Sequence, residues 1–141
     1  KDSHCSYTYH PVHDRSTYLS IPDTTTLLVG FNLKFDLLWE MAQSNPDLLA
    51  FFKRGGKVWC CQYAEYLLEG QTEASQMCSL DSIVDHYGGR KKIDEVKILW
   101  EAGVKTSEIQ EDLLLDYLIG TEEEGRNSGD IGNTELVFLG R

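Results

Sequence analysis

The sequence predicts an α/β fold: a short mixed sheet flanked by helices, with the first strand of that sheet missing. Two observations predict it. Apolar runs with strand character come early, while helical i, i+3, i+4 spacing dominates afterwards. The chain also opens on what reads as a second strand, Cys5–His10, with no apolar strand ahead of it.

Cys5–His10 alternates β-formers and ends at Pro11, and Val12–Asp23 reads as loop or short helix. Thr24–Gly30 is an apolar, β-branched run closed by Gly30, as expected of a buried strand. Asn32 then caps a helix whose apolar stripe is Phe35, Leu38, Trp39 and Ala42. Pro46 opens a second helix through Phe52, ended by Gly55-Gly56. Lys57–Cys60 is a strand, followed by a helix with Ala64, Leu67 and Leu68 inward. After the polar stretch Gly70–Cys78, Ser79 caps a helix carrying Leu80, Ile83, Val84 and Tyr87, stopped by Gly88-Gly89. Lys92–Ala102 and Ser107–Gly120 are further helices, Thr121–Gly129 is an acidic loop, and Asp130–Leu139 is a last helix.

At 141 residues the chain is expected to be one domain with a real core. Three Trp, seven Tyr and five Phe supply anchors, so the composition is not that of a disordered chain. No apolar run approaches a membrane span and no signal peptide opens the sequence; the expected location is cytoplasmic, without a membrane partner. A net charge of −10 disfavours an autonomous DNA-binding module, because phosphate neutralisation drives such affinity. It is compatible with a metal-dependent nuclease, which needs clustered carboxylates. Cys5, Cys60, Cys61 and Cys78 have no C-x-x-C spacing, so a structural zinc site is not expected. Cys60 and Cys61 read as reduced, buried side chains, and Trp39, Trp59 and Trp100 read as core.

The sharpest local signal is Gly30-Phe31-Asn32-Leu33-Lys34-Phe35-Asp36 at a strand-to-helix junction. Open α/β sheets place ligands at such carboxyl ends of strands. Asp36 is off the apolar stripe by roughly 100° for one residue step, so it is free to face the mouth of the sheet. An acid in a first helical turn is the alternative reading, favoured by the helix dipole.

The run Leu28–Leu38, containing Asn32-x-x-x-Asp36, resembles the second exonuclease motif of the 3′–5′ proofreading domain of family A DNA polymerases, especially phage ones. Ala64–Leu68, Ser79–Ile83 and Leu113–Gly120 follow in that family's order and approximate spacing. The resemblance implies a ribonuclease H-like fold and hydrolysis of a 3′-terminal nucleotide from single-stranded DNA. It also implies two Mg²⁺ or Mn²⁺ ions, one activating water and the other stabilising the leaving oxygen. It makes Asp36 a catalytic metal ligand and Asn32 a supporting residue that caps the helix. It further implies an attached or associated polymerase domain and a bacterial or phage-infected cell.

The family's third motif is Tyr-x-x-x-Asp. Tyr117 fits its first position, where the resemblance assigns it to orienting the attacking water, but Thr121 stands where the aspartate belongs. Gly129–Glu135 resembles the stretch holding that aspartate, which makes Asp130 the second metal ligand and Thr121–Gly129 an insertion. In one unbroken helix Tyr117 and Asp130 would be roughly 20 Å apart, so the insertion must loop out and return. Glu122, Glu123 and Glu124 are rival carboxylates, and Asp130 has an alternative as a helix N-cap. The first motif, Asp-x-Glu, has no counterpart, so the two remaining ligands are expected outside this sequence.

Near the junction, Phe31 is placed to stack on a terminal base and Lys34 to contact a phosphate, with an ordinary exposed helix lysine as the alternative for Lys34. Arg90-Lys91-Lys92 offers a second basic contact, against a simply solvated reading. The missing first motif, Thr121 and the acidic charge favour a rival in which the domain keeps the exonuclease-like fold and docks on a polymerase or other partner without cutting.

Overall fold

The computed structural model describes residues 18–71, 78–91, 94–123 and 129–140. The strand expected over Cys5–His10 lies outside them, as does most of the chain linking it to Asp23.

Two four-residue strands, β1 (Leu27–Gly30) and β2 (Lys57–Cys60), pair in parallel, with Leu27 opposite Lys57 and Gly30 opposite Cys60. The predicted run from Thr24 begins later because Thr25 N–H donates to the Pro22 carbonyl, a turn that uses up its start. Parallel neighbours need a crossover. Here it is helical: α1 (Leu33–Ala42) and α2 (Pro46–Lys53). Asn45 separates the two helices and opens α2, its side-chain oxygen accepting from the N–H groups of Asp47 and Leu48, with Pro46 at the first helical position.

Side chains alternate across the thin sheet. Leu28 and, from α1, Leu37 pack on a first core of Ile21, Leu48 and Phe51. Val29 faces a second core of Cys61, Leu80 and Val137, joined by Phe31, Ile83, Tyr87 and Phe138. That second core draws on α3 (Cys61–Leu68), α4 (Leu80–Ile83, continued as a 3₁₀ turn through Tyr87) and α7 (Gly129–Leu139). Burial pushes the Cys61 thiol up to about 11, with Cys60 and Glu65 adding to the rise, so it stays protonated at neutral pH. Its sulfur lies 3.9 Å from the Thr134 carbonyl. The mixed α/β class is therefore observed, and no helix among the described residues is long and apolar enough to cross a membrane.

Several expected faces are turned. In α1 the predicted inner stripe is outside: Phe35, Leu38 and Trp39 are 66%, 56% and 63% exposed. The inner face is Leu33, Leu37 and Glu40 instead, and Glu40 accepts hydrogen bonds from Leu19 N–H and from Asn45 Nδ2. This helix is apolar on more than one side, so spacing alone did not select the side that packs. In α3 the expected Leu67 and Leu68 are exposed, and Cys61 and Glu65 are buried. Glu65 can lie there because the Tyr87 hydroxyl donates to its Oε2 at 2.8 Å. Trp39 is not core, and Trp59 and Trp100 are partly open, resting edge-on against Phe138 and Tyr117.

The helix expected over Lys92–Ala102 appears as α5 (Glu95–Glu101). Ser107–Gly120 is not one helix: a 3₁₀ turn at Thr106–Glu108 is followed by buried, extended Ile109 and then α6 (Glu111–Ile119). Sinking Ile109 into the core breaks the helical run.

One edge of β1 has no strand partner among the described residues. Thr26 accepts from Lys57 N–H, and alternate residues of a parallel strand bond the same neighbour, so Leu27 and Val29 direct their peptide groups to the open edge.

Candidate functional site

The site is built at the carboxyl end of β1. Gly30 leaves the strand close against Leu33, whose Cδ1 would lie 2.6 Å from an added Cβ and would have to shift to admit one. Asn32 takes up the left-handed backbone, φ 55°, at the helix N-cap. Its role differs from the expected one: the side chain makes no capping hydrogen bond, and it is the conformation that Asn tolerates better than most residues that turns the chain. The turn places Asp36 in the first helical turn of α1, on an exposed position.

Asp130 arrives from the far end of the chain. The α7 helix packs against both β1 and α6. Its first residue, Gly129, has φ 72°, and a Cβ there would come within 2.6 Å of Gly120 N, 2.7 Å of Leu118 C and 2.8 Å of Ile119 N. The start of α7 thus lies on the end of α6. Asp130, the next residue, comes back beside the helix that carries Tyr117.

The two acids sense each other. Although the residue as a whole is open to solvent, neighbouring atoms displace water from the Asp36 carboxyl and raise it above its ordinary value, with the negative charge of Asp130 and then of Glu40, one turn along α1, adding to the rise. Residues 94 positions apart therefore share one electrostatic neighbourhood. The Asp130 backbone is also tied down, its carbonyl accepting from Thr134 Oγ1 at 2.7 Å.

This coupling has a signed consequence. Below 3.8, the ordinary value, Asp36 is protonated in both states and contributes no penalty. As pH climbs from there through the raised folded value, the native state gives up its extra proton and stability falls; above it the penalty is complete. Asp130→Asn is expected to bring the Asp36 titration down toward 3.8, followed by carboxyl-carbon NMR. An unaltered Asp36 curve would mean that the acids are not neighbours.

The other predicted residues are placed as follows. The Tyr117 ring is half-buried, edge-on to Trp100 with centroids 5.4 Å apart. Phe31 is partly buried and packs against the second core. Lys34 is exposed on α1. Among the described residues no set of three or more His, Cys, Asp or Glu is grouped to hold a metal ion. The pair present still suits a divalent cation: two oxygen-donor carboxylates whose mutual repulsion a cation would relieve.

Sequence reasoning missed two polar anchors. Glu65–Tyr87 is one, and glutamate is so seldom buried that nothing in its local pattern announced it. The second is Asn133, buried in α7, whose Nδ2 donates to the Arg90 carbonyl at 2.6 Å. Its only signal was its place one turn after Asp130.

Comparison of the chain with family models, with curated proteins and with solved structures gives no match.

Proposed function

We propose that the chain is a ribonuclease H-like, 3′–5′ exonuclease-type domain that acts on the 3′ end of single-stranded DNA with Mg²⁺ or Mn²⁺. The observation that carries this reading is the Asp36–Asp130 neighbourhood at the end of a parallel strand. The motif order around Asn32 and Asp36 supports it, as does the return of α7 onto α6.

On this reading Asp36 and Asp130 hold the cation, and Tyr117 serves the attacking water from the adjoining helix. The bound ions supply Lewis-acid stabilisation of the charge that develops on phosphate oxygens. Two more carboxylates are required, on a strand that seats against the open edge of β1. A polymerase domain, attached or associated, is the natural source of the basic DNA-binding groove that a chain of charge −10 lacks.

The test adds a strand bearing Asp-x-Glu ahead of Lys1 and follows Mg²⁺-dependent release of 3′-terminal nucleotides from labelled single-stranded DNA. Asp36→Ala is expected to lower the rate by a hundredfold or more, on the order of 3 kcal/mol of transition-state stabilisation. Full activity in Asp36→Ala would remove this residue from the mechanism.

A second reading is favoured by the uncovered α1 face of Phe35, Leu38, Trp39 and Met41. There the domain keeps the fold and docks on a polymerase or other partner without cutting. It predicts no saturable divalent-cation binding at Asp36 and Asp130.

A further inference from the structure

The described residues open against α1. Leu19 is held there at both its N–H, which donates to Glu40 Oε2 at 3.1 Å, and its carbonyl, which accepts from Asn45 Nδ2 at 2.9 Å. Ile21 N–H donates to Asp47 Oδ2 at 3.1 Å, and its side chain is buried in the first core. Asn45 is itself buried, so this strap is fastened to a fixed point between α1 and α2. Residues 1–17, outside the described residues, therefore join the fold beside α1.

On the other side of that helix Phe35, Leu38 and Trp39 form a stripe at i, i+3, i+4, each more than half exposed. Such a stripe is stabilised by whatever removes it from water. The front segment has the reach. From Glu40 to the middle of the stripe is about half the circumference of a helix 10–12 Å across, roughly 16–19 Å, and residues 13–18 extend to about 20 Å. Ahead of them Cys5–His10 alternates, so that in an extended conformation Cys5, Tyr7 and Tyr9 share one side. Tyr7 and Tyr9 would then be roughly 6.5 Å apart, close to the ~6 Å rise from Phe35 to Trp39.

Charge and area favour this occupant over a second copy. Lys1 and Arg15 balance Asp2 and Asp14, so residues 1–17 carry no net charge, whereas two copies bring −10 each to a shared interface. Three side chains of this size, partly open, offer at most roughly 400 Å², about half of the ~800 Å² per partner that a stable complex buries. A tethered segment needs less, because its effective concentration is on the order of millimolar.

We propose that the front segment folds back over α1, with Tyr7 and Tyr9 packed on Phe35, Leu38 and Trp39. The inference is independent of the nuclease reading, since neither Asp36 nor Asp130 takes part in the contact.

The full chain is studied by NMR with a soluble gadolinium chelate, which speeds the relaxation of exposed protons. Phe35, Leu38 and Trp39 are expected to respond several-fold less than Leu68 and Ile98, which are exposed on other helices, and to do so at every chain concentration. Tyr7→Ser combined with Tyr9→Ser should raise the stripe to the level of Leu68 while leaving buried Leu48 and Phe51 unchanged. Cross-relaxation between the Trp39 indole and a Tyr7 or Tyr9 ring is expected in the wild-type chain and needs no variant. Its absence, or a wild-type stripe as responsive as Leu68, would overturn the inference and return the stripe to a separate partner. Protection that survives the double substitution, or that grows with chain concentration, would also overturn it.

Discussion

Replacing Gly129 by alanine is expected to cost the fold about 2–4 kcal/mol, a fall in Tm of roughly 10 °C. Two effects add. The residue sits at φ 72°, where a side chain is strained, and its Cβ would enter the backbone of Leu118–Gly120 at 2.6–2.8 Å. Backbone atoms cannot swing aside as a flexible side chain can, so α7 would have to lift off α6. Gly55→Ala is the matched control. Gly55 also has positive φ, 86°, yet nothing lies within 4 Å of its added Cβ, so it should cost only the conformational part, about 1 kcal/mol. Thermal unfolding of the two variants checks the difference. Equal losses would mean that α7 does not start against the end of α6, and the placement of Asp130 would fall with that contact.

The backbone course was largely legible in the sequence, because its signals are local. Pro46, Ser79 and the Gly88-Gly89 pair act within a few residues, and each marks an element boundary in the structure. Ser79 does cap α4, its Oγ accepting from Ser82 N–H at 3.2 Å. Which side of a helix faces the core was less legible. In α1, Leu33 and Leu37 compete with Phe35, Leu38 and Trp39, and only the position of the first core decides between them. In α3, the buried partner of Cys61 is a glutamate, whose burial depends on a hydroxyl 22 residues away.

The candidate site shows the same division. The strand-to-helix turn that presents Asp36 was visible in Gly30 and Asn32, although Asn32 acts through its backbone rather than as a cap. The approach of Asp130 was not derivable from spacing. It depends on a glycine with positive φ lying on another helix end, and on the packing of α7 over β1.

The second large effect concerns the acids themselves. Each gives oxygen ligands to a hard cation, and together they place two negative charges where the repulsion already raises Asp36. A divalent ion gains from both charges at once, so removing either one should weaken its binding by about tenfold or more. Asp36→Asn and Asp130→Asn should each do so, and the double variant should lose little beyond either single one, because the pair acts as a unit. Asn conserves size at both positions, so the folded chain is retained for comparison.

Titrating Mn²⁺ into the wild-type chain and these three variants, with free Mn²⁺ followed by electron paramagnetic resonance, tests the gathering of these two carboxylates most directly. Saturable wild-type binding that either single substitution weakens by about tenfold or more is the predicted result. No saturable binding in the wild-type chain, or binding that survives both substitutions, would contradict it.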